Sequence, residues 1–374
     1  MALRPLARLY VHVPFCRAKC AYCAFYSEAP VRPQSVALYL EALEAEFVRV
    51  APGAGALASV FVGGGTPSGL GAAALGQLLS LIRRRFVLLP QAEWTVEANP
   101  ESLDDEVVAT LAGSGVNRVS VGVQTLVPAL RQTLGRRGDP SAALARLEAL
   151  RQAGIARLNV DLIYHIPGQS LEHWEGDLRA VLGLGVTHLS AYALTLEEGS
   201  RLAAAKLALP TEEEFTEMWQ RTETVTAEYG LRRYEISNFS RPGAECQHNL
   251  GVWSGEPYLG CGPAAASFDG QQRWTNPPSL QSWLDGASAE LDPLPARARA
   301  AEILAFGLRL VDGWDPVRFR QATGMALEDV HPAALDELVA LGLLERRPGR
   351  LRPTPAGLLL HDALAQRILL DPSA

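Results

Sequence analysis

The chain has 374 residues and a formal net charge of −7, and 48% of its residues are hydrophobic while 20% are charged. This composition is typical of a soluble globular protein, and the acidic balance argues against a protein whose main task is binding a nucleic-acid backbone. No segment approaches the ~20 apolar residues of a membrane-spanning helix, and the first residues lack the apolar core of a secretory signal. We therefore expect a cytoplasmic protein, in which five cysteines indicate thiol chemistry or metal binding.

Short β-rich segments alternate with longer amphipathic segments between about residues 8 and 237. The predicted strands are residues 9–13, 59–63, 93–98, 118–123, 157–163, 188–194 and 232–237. The predicted helices include residues 35–50, 72–86, 142–153, 171–184 and 212–228. A glycine, the residue that commonly ends a helix, precedes four of the strands, at Gly115, Gly154, Gly185 and Gly230.

Alternation of strands and helices implies parallel pairing with right-handed crossovers. We predict an α/β protein whose residues 1–237 form a partial or complete barrel, with a site built by the loops that leave the carboxyl ends of the strands. Residues 238–295 are rich in Gly, Pro, Trp and Asn. A loop of this length is usually functional or disordered, and its aromatic residues favour an ordered functional cover.

Residues 296–374 are predicted to form a helical, winged-helix-like domain, because a helix, a short β ribbon and a last helix follow one another at its end. The basic residues of this ribbon are the only hint of DNA binding. They are Arg346, Arg347, Arg350 and Arg352. In an acidic chain we favour a packing or partner-binding domain and expect no nucleic acid.

Cys16, Cys20 and Cys23 lie in one short loop directly after the first predicted strand. Three thiolates can hold three irons of a [4Fe–4S] cubane and leave the fourth iron open for a substrate. A tetrahedral zinc site needs a fourth ligand, which Cys246 or His248 would have to supply from a distance, and unliganded cysteines are a third interpretation. The spacing favours the iron–sulfur cluster.

The Cys-x3-Cys-x2-Cys loop, with an aromatic residue before its last cysteine, resembles that of the radical SAM superfamily. The preceding Tyr-Val-His-Val-Pro-Phe-Cys segment is similar to the oxygen-independent coproporphyrinogen III oxidase-like family, and the resemblance runs from about residue 8 to 365. It implies a partial, three-quarter (β/α)6 barrel with S-adenosylmethionine (SAM) on the open iron. In this superfamily the reduced cluster passes an electron to SAM and yields a 5′-deoxyadenosyl radical, so the cofactor carries the chemistry.

A glycine-rich turn, Gly63-Gly64-Gly65-Thr66, follows the second predicted strand. Glycine allows close approach of the backbone to a small polar ligand, here the methionyl amino group of SAM, although such a turn is as often only a tight connection. The resemblance assigns SAM contacts to six further residues. Gln124 and Asp161 would bind the ribose, Glu97 and Arg136 the methionyl and neighbouring groups, and Tyr10 and Ile163 would line the adenosine.

Four of these residues are polar, and each alone is more often an ion pair or a strand-end cap. They are Glu97, Gln124, Arg136 and Asp161. Their order on the ends of successive strands favours one common site. Asp161 is independent support, because a carboxylate inside an apolar strand is costly unless it meets a partner. His165 departs from the family, which has a glycine at this position, and we expect altered packing of its loop.

Two features resemble the haem-chaperone (HemW) branch of the family and not the dehydrogenase. Phe25 stands where the dehydrogenase has a further cysteine, and only nine residues precede Tyr10 where that enzyme has a long extension. The segment from Cys246 to Trp253 also looks like the branch's His-Asn-x-x-Tyr-Trp motif, with Val252 in place of its tyrosine.

His248 of that motif is the expected axial ligand of haem iron, since imidazole is a standard haem ligand. Cys246 is an alternative or second ligand, and Trp253 and Tyr258 could stack on the macrocycle. A single loop histidine is also commonly structural. The resemblance therefore predicts a haem site in the 238–295 segment without deciding its ligand.

The resemblance implies a haem chaperone that transfers haem to an unidentified acceptor protein, with the cluster and SAM governing dimerisation or haem release. No catalytic residue is assigned in this interpretation. The alternative is an oxygen-independent coproporphyrinogen III dehydrogenase, which oxidatively decarboxylates two propionates. A third interpretation is a non-catalytic scaffold that retains the cluster and docks a partner through its C-terminal domain.

Overall fold

Six parallel strands lie side by side in chain order, and they form most of a nine-stranded sheet in the computed structural model, which describes residues 6–205 and 207–370. Continuous runs of buried Val, Leu and Ile along these strands show that both faces of the sheet are covered. The six strands are β1 (Leu6–Val13), β2 (Ala54–Gly64), β3 (Leu88–Ala98), β4 (Arg118–Gln124), β5 (Arg157–Tyr164) and β6 (His188–Ala193).

The helices that follow these strands pack on the outside of the sheet and bury apolar side chains against it. They are α1 (Pro33–Val50), α2 (Ala72–Arg85), α3 (Asp105–Gly113), α4 (Pro128–Thr133), α5 (Pro140–Gln152), α6 (Leu171–Leu182), α7 (Arg201–Ala204) and α8 (Glu212–Glu228). The four predicted helix-ending glycines all have a positive φ, between +75° and +88°. The predicted α/β fold with a parallel sheet is thus confirmed.

The prediction of a seventh strand over residues 232–237 was wrong. Two short strands, β7 (Arg232–Arg233) and β8 (Asn238–Ser240), replace it, and β8 pairs antiparallel with β6. The chain turns between them because the buried Glu235 carboxylate accepts hydrogen bonds from the Ser237 N–H and the Asn238 side-chain amide. Arg309 completes the pairing of this carboxylate, 3.3 Å away.

The 238–295 segment, which we expected to be a cover, contributes strands to the main sheet at both of its edges. Its strand β8 lies beside β6, while a further strand, β9 (Leu259–Cys261), pairs in parallel with β1. Between them lies helix α9 (Gln247–Trp253), which we call the α9 segment together with the residues from Ala244 that lead into it. This segment lies against the amino-terminal halves of β1–β4. Arg8 donates to the Gln247 carbonyl and Arg118 to the Ala244 carbonyl. The segment therefore closes the end of the barrel opposite to the cysteine loop.

The remainder of this segment forms a small antiparallel sheet with one short helix. Its elements are β10 (Ala266–Phe268), β11 (Arg273–Thr275), α10 (Leu280–Leu284) and β12 (Glu290–Asp292). The division of the chain into three domains, at residues 1–237, 238–295 and 296–374, stays a prediction.

The C-terminal region has its own hydrophobic core, built around Leu304, Phe319, Leu335 and Leu351. Three helices precede a two-stranded ribbon and two last helices, which is the predicted winged-helix-like order. They are α11 (Ala296–Gly307), α12 (Pro316–Thr323), α13 (Pro332–Ala340), β13 (Leu344–Arg347), β14 (Arg350–Pro353), α14 (Pro355–Leu359) and α15 (His361–Leu369).

The arginines of the β13–β14 ribbon are engaged within the protein. Arg346 pairs with Asp336, while Arg347 and Arg352 both pair with Glu345. Such pairing lowers the positive potential that a nucleic-acid backbone would need. Among residues 6–205 and 207–370, no helix combines the length and hydropathy needed to cross a bilayer.

Candidate functional site

A cavity of about 630 Å³ lies inside the barrel, with the cysteine loop at one end and the α9 segment at the other. The three cysteines of the loop all line it. So do eight of the ten residues predicted to bind SAM: Gly64, Gly65, Thr66, Glu97, Gln124, Arg136, Asp161 and Ile163. The structure therefore brings the two predicted motifs to one site.

Backbone hydrogen bonds anchor the start of the cysteine loop to Glu28, beyond its last cysteine, and to the glycine-rich turn that follows β2. Cys16 N–H donates to the Glu28 carbonyl at 2.9 Å, and Glu28 N–H donates to the Pro14 carbonyl at 2.7 Å. On the other side, Thr66 N–H donates to the Phe15 carbonyl at 2.7 Å. The glycine-rich turn thus fixes the position from which the first thiol projects.

The three thiols are half-buried and free, and each meets a different environment. Cys16 Sγ lies 3.5 Å from Thr66 Oγ1, and Arg136 Nη1 donates to Cys20 Sγ at 3.7 Å. Burial raises the pKa of the Cys23 thiol.

The thiols do not converge on one point. Among the described residues, no group of three or more His, Cys, Asp or Glu side chains is arranged to hold a single metal ion. Ligands of a single zinc converge within bonding distance of one ion, whereas the cysteines of a cubane bind one iron each and stand further apart. Three thiolates are the donor set of a cubane with one open iron.

Close packing explains why the turn after β2 needs glycines. A Cβ on Gly64 would lie 2.6 Å from the His12 ring, and Gly64 itself has a φ of +107°. A Cβ on Gly65 would lie 2.5 Å from the Phe15 carbonyl oxygen. The turn is therefore held against β1 and the cysteine loop while its backbone remains open towards the cavity.

Two carboxyl groups face the cavity from neighbouring parts of the sheet. Glu97 accepts from Gly64 N–H at 3.1 Å, and burial followed by the proximity of Asp161 raises the pKa of Glu97 to about 8. Asp161 accepts from Ser120 Oγ and Asn159 Nδ2, and burial raises its pKa as well. Both are able to accept hydrogen bonds from the hydroxyl or amino groups of a ligand.

Gln124 and Arg136 are held in place by local backbone features. Gln124 has a φ of +71°, unusual for a residue other than glycine, and a shift in the β4–β5 register occurs between Gly122 and Gln124. The Gly122 carbonyl accepts from Arg136. Strain of this kind persists where the surrounding structure over-determines it, often at a binding site.

Tyr10 and Gly63, the other two predicted SAM residues, do not line the cavity. The Tyr10 hydroxyl lies 3.0 Å from His12 Nδ1, and burial raises the pKa of Tyr10. A Cβ on Gly63 would lie 2.8 Å from Glu97 Oε2, so this glycine makes room for the carboxyl group. Both residues support the site from behind.

The two predicted haem ligands occupy different positions. Cys246 lines the cavity, donates to Glu93 Oε1 at 3.4 Å, and has a pKa that burial raises to about 12. His248 does not line it: the ring packs on Phe61 and its Nδ1 lies 3.1 Å from Ser59 Oγ. Burial lowers the pKa of His248 to about 3, so the imidazole is neutral. Haem ligation by His248 would require α9 to move, and it stays a prediction.

Sequence reasoning missed the polar residues at the inner end of the cavity. Arg118, Asn159, His188 and Ser190 all line it. Asn159 on β5 joins three strands: it donates to Ser120 Oγ on β4 at 2.7 Å and to Ser190 Oγ on β6 at 3.0 Å, and its Oδ1 lies 2.6 Å from His188 Nδ1 on β6. The available signal was a polar residue recurring within otherwise apolar strands, which is costly without a partner.

His165 adopts a φ of +64°, the left-handed region that glycine favours. Its ring packs edge-on against Phe215, and Nε2 lies 2.9 Å from the Pro210 carbonyl oxygen. These contacts offset the backbone strain, and they account for a histidine at a glycine position.

Comparisons with known proteins agree with this architecture. Residues 10–181 match the model of the radical SAM superfamily, and residues 294–360 match that of the HemN C-terminal domain. A solved structure of coproporphyrinogen III oxidase (HemN) from Escherichia coli, a radical SAM enzyme, superposes with a TM-score of 0.84 at 26% identity, covering 98% of this chain and 91% of that chain.

Curated relatives are similar over nearly the whole length. The protein named heme chaperone HemW of Mycobacterium tuberculosis is 38% identical, with 96% of this chain and 94% of the relative covered. Its namesake in Escherichia coli is 32% identical over 99% and 100%. The mouse protein named radical S-adenosyl methionine domain-containing protein 1, mitochondrial, is 34% identical over 97% and 87%. This chain is therefore a member of the HemW family within the radical SAM superfamily.

Proposed function

We propose that this protein is a haem chaperone that carries a [4Fe–4S] cluster and SAM, binds haem and passes it to an acceptor protein. The observation that carries the proposal is the single cavity into which all three loop cysteines and most of the predicted SAM residues project. Similarity to relatives named heme chaperone, at 32–38% identity over nearly the full chain, supports the proposal. Five free cysteines suit a reducing compartment, which we propose is the cytoplasm.

The residues present fit the cluster and SAM. Cys16, Cys20 and Cys23 would hold three irons, leaving the fourth to SAM. In this superfamily the bound cluster supplies an electron to the SAM sulfonium. Arg136 donates a hydrogen bond to Cys20 Sγ, and the open backbone of the glycine-rich turn would accommodate the methionyl group. Glu97 and Asp161 would accept from the amino and ribose hydroxyl groups.

An anaerobic hemin titration of the cluster-loaded protein, followed by Soret absorbance, tests the haem proposal. We expect saturable binding of about one hemin per chain. The His248→Ala and Cys246→Ala variants identify the ligand, because loss of the axial ligand changes the Soret maximum as well as the affinity. Non-saturable binding in the wild type would contradict the proposal.

The second candidate function is coproporphyrinogen III oxidation, which the superposition on HemN favours. Phe25 argues against it, since this residue replaces the further cysteine of the dehydrogenase pattern and lines the cavity with an exposed side chain. Anaerobic incubation with coproporphyrinogen III, SAM and a reductant separates the two functions. Vinyl-group formation with release of CO2 would establish the dehydrogenase.

A further inference from the structure

Arg118 differs from the other buried arginines of the described residues in having no carboxylate partner. Four arginines are less than 9% exposed there. Arg8 pairs with Glu256, Arg131 with Glu101 and Arg299 with Asp292, at 2.5 to 3.5 Å. Arg118 is 2% exposed. Within residues 6–205 and 207–370 its guanidinium makes no ion pair: Nη1 donates to the Ala244 carbonyl at 3.2 Å, and Nε has no partner.

The guanidinium lines the inner end of the cavity, among neutral polar side chains. Those neighbours in the lining are Ser120, Asn159, His188, Ser190 and Asn238. His188 is neutral, because burial and then the charge of Arg118 lower its pKa. Three carboxyl groups lie around this end, and none of them forms an ion pair with Arg118. Glu235 pairs with Arg309 and Glu93 with Arg157, while Asp161 accepts hydrogen bonds from Ser120 and Asn159 and interacts with the charge of Arg118 only from a distance. A buried positive charge thus faces open space.

The inner end borders Asp161, which Ser120 and Asn159 contact, but it lies far from Gln124 at the cysteine end. Arg118 is the first residue of β4 and Gln124 the last, so their backbones are about 20 Å apart at ~3.3 Å per residue. The other cations that line the cavity, Lys19 and Arg136, lie at the cysteine end, with Arg136 beside Cys20. One unit of positive charge at the inner end matches a monoanion, and the planar guanidinium fork matches a carboxylate in shape.

We propose that the inner end of the cavity is a subsite for a carboxylate group, bound by the Arg118 guanidinium. A buried charge without a counter-ion is costly, and a bound carboxylate removes that cost. Two sources have the right chemistry: a free small carboxylate, or a propionate of a tetrapyrrole that reaches the inner end. The subsite does not depend on haem binding, because the first source can be tested alone.

The first arm measures thermal unfolding of the cluster-loaded protein with sodium propionate, against sodium chloride at equal ionic strength. We expect propionate at saturation to raise Tm by roughly 2–4 °C in the wild type and not in Arg118→Met. Arg232→Met is the control: Arg232 is exposed, begins β7 and does not line the cavity. It should keep the propionate response.

The second arm compares hemin with hemin dimethyl ester. If the carboxylate comes from a tetrapyrrole, esterification should weaken binding about tenfold in the wild type and leave Arg118→Met unaffected. Should Arg118→Met fail to fold, Arg118→Lys keeps the charge but loses the fork, and an intermediate response is expected.

The subsite is supported if propionate raises Tm or if esterification weakens hemin binding, and if Arg118→Met abolishes that effect. The arm that responds identifies the source of the carboxylate. A propionate response equal to that of chloride, together with equal binding of hemin and its ester, would overturn it, as would a response that Arg118→Met retains. If hemin does not bind at all, the haem proposal is wrong. The propionate experiment would still show whether the carboxylate subsite exists.

Discussion

Replacement of Gly65 by alanine tests whether the glycine-rich turn positions the cysteine loop. The new Cβ would lie 2.5 Å from the Phe15 carbonyl oxygen and 2.9 Å from the Phe15 N and C atoms, which are backbone and cannot rotate away. An ordinary contact between the Cβ and the carbonyl oxygen is about 3.4 Å long, so the backbone would have to shift by roughly 0.9 Å. That shift opposes the hydrogen bonds from Gly65 N–H to Val13 and from Thr66 N–H to Phe15.

Overpacking costs about 1–3 kcal/mol and a weakened hydrogen bond about 1 kcal/mol, so we expect Gly65→Ala to lower the free energy of unfolding by about 2–4 kcal/mol. Urea denaturation of the cluster-free chain measures this, and iron content after reconstitution should fall as well. Gly176→Ala is the control: a Cβ on this α6 glycine would meet nothing within 4 Å, and alanine there should stabilise by about 0.5–1 kcal/mol. A Gly65→Ala protein with wild-type stability and full iron content would refute the reasoning.

Three further predictions concern charge. The pKa of Glu97 is raised to about 8 in the folded protein, so between about pH 4.5 and 8 the folded state holds a proton that the unfolded state has lost. The free energy of unfolding of the cluster-free protein should therefore fall as the pH rises through this range, by up to about 1.4 kcal/mol per pH unit. Glu97→Gln should flatten this dependence in urea denaturation, and an unchanged slope would contradict the prediction. Asp161→Asn should weaken SAM binding about tenfold or more in equilibrium dialysis, whereas Asp139→Asn, at the exposed cap of α5, should not; equal affinities would exclude Asp161 as a ligand. Because the β13–β14 arginines are paired with carboxylates, we expect no binding of duplex DNA tighter than about 10 µM in fluorescence anisotropy at about 150 mM salt, and tighter binding would refute this.

The parallel sheet, and the grouping of the cysteine loop with most of the predicted SAM residues around one cavity, were predictable from the sequence because both depend on local patterns. Apolar strands, glycine-ended helices and polar residues at strand ends recur in order, and parallel topology brings those ends together. Gln124 and Asp161, on neighbouring strands, both reach the cavity for this reason.

The α9 segment could not be placed from the sequence, because distant residues hold it. Arg8 contacts Glu256 across 248 residues, and Ser59 contacts His248 across 189. Nothing near His248 in the chain indicates that its ring is buried on Phe61. Arg118 likewise resembles an ordinary strand start in the sequence, since a missing carboxylate partner is visible only in three dimensions.

The most direct test of the central claim is the iron and acid-labile sulfide content of five single Cys→Ser variants after anaerobic reconstitution. The wild type should bind about four irons and four sulfides per chain. Replacement of Cys16, Cys20 or Cys23 should remove most of this cluster, while replacement of the buried Cys246 or Cys261 should retain it. Full cluster content without one of the three loop cysteines, or cluster loss on replacing Cys246 or Cys261 in a folded protein, would contradict the account.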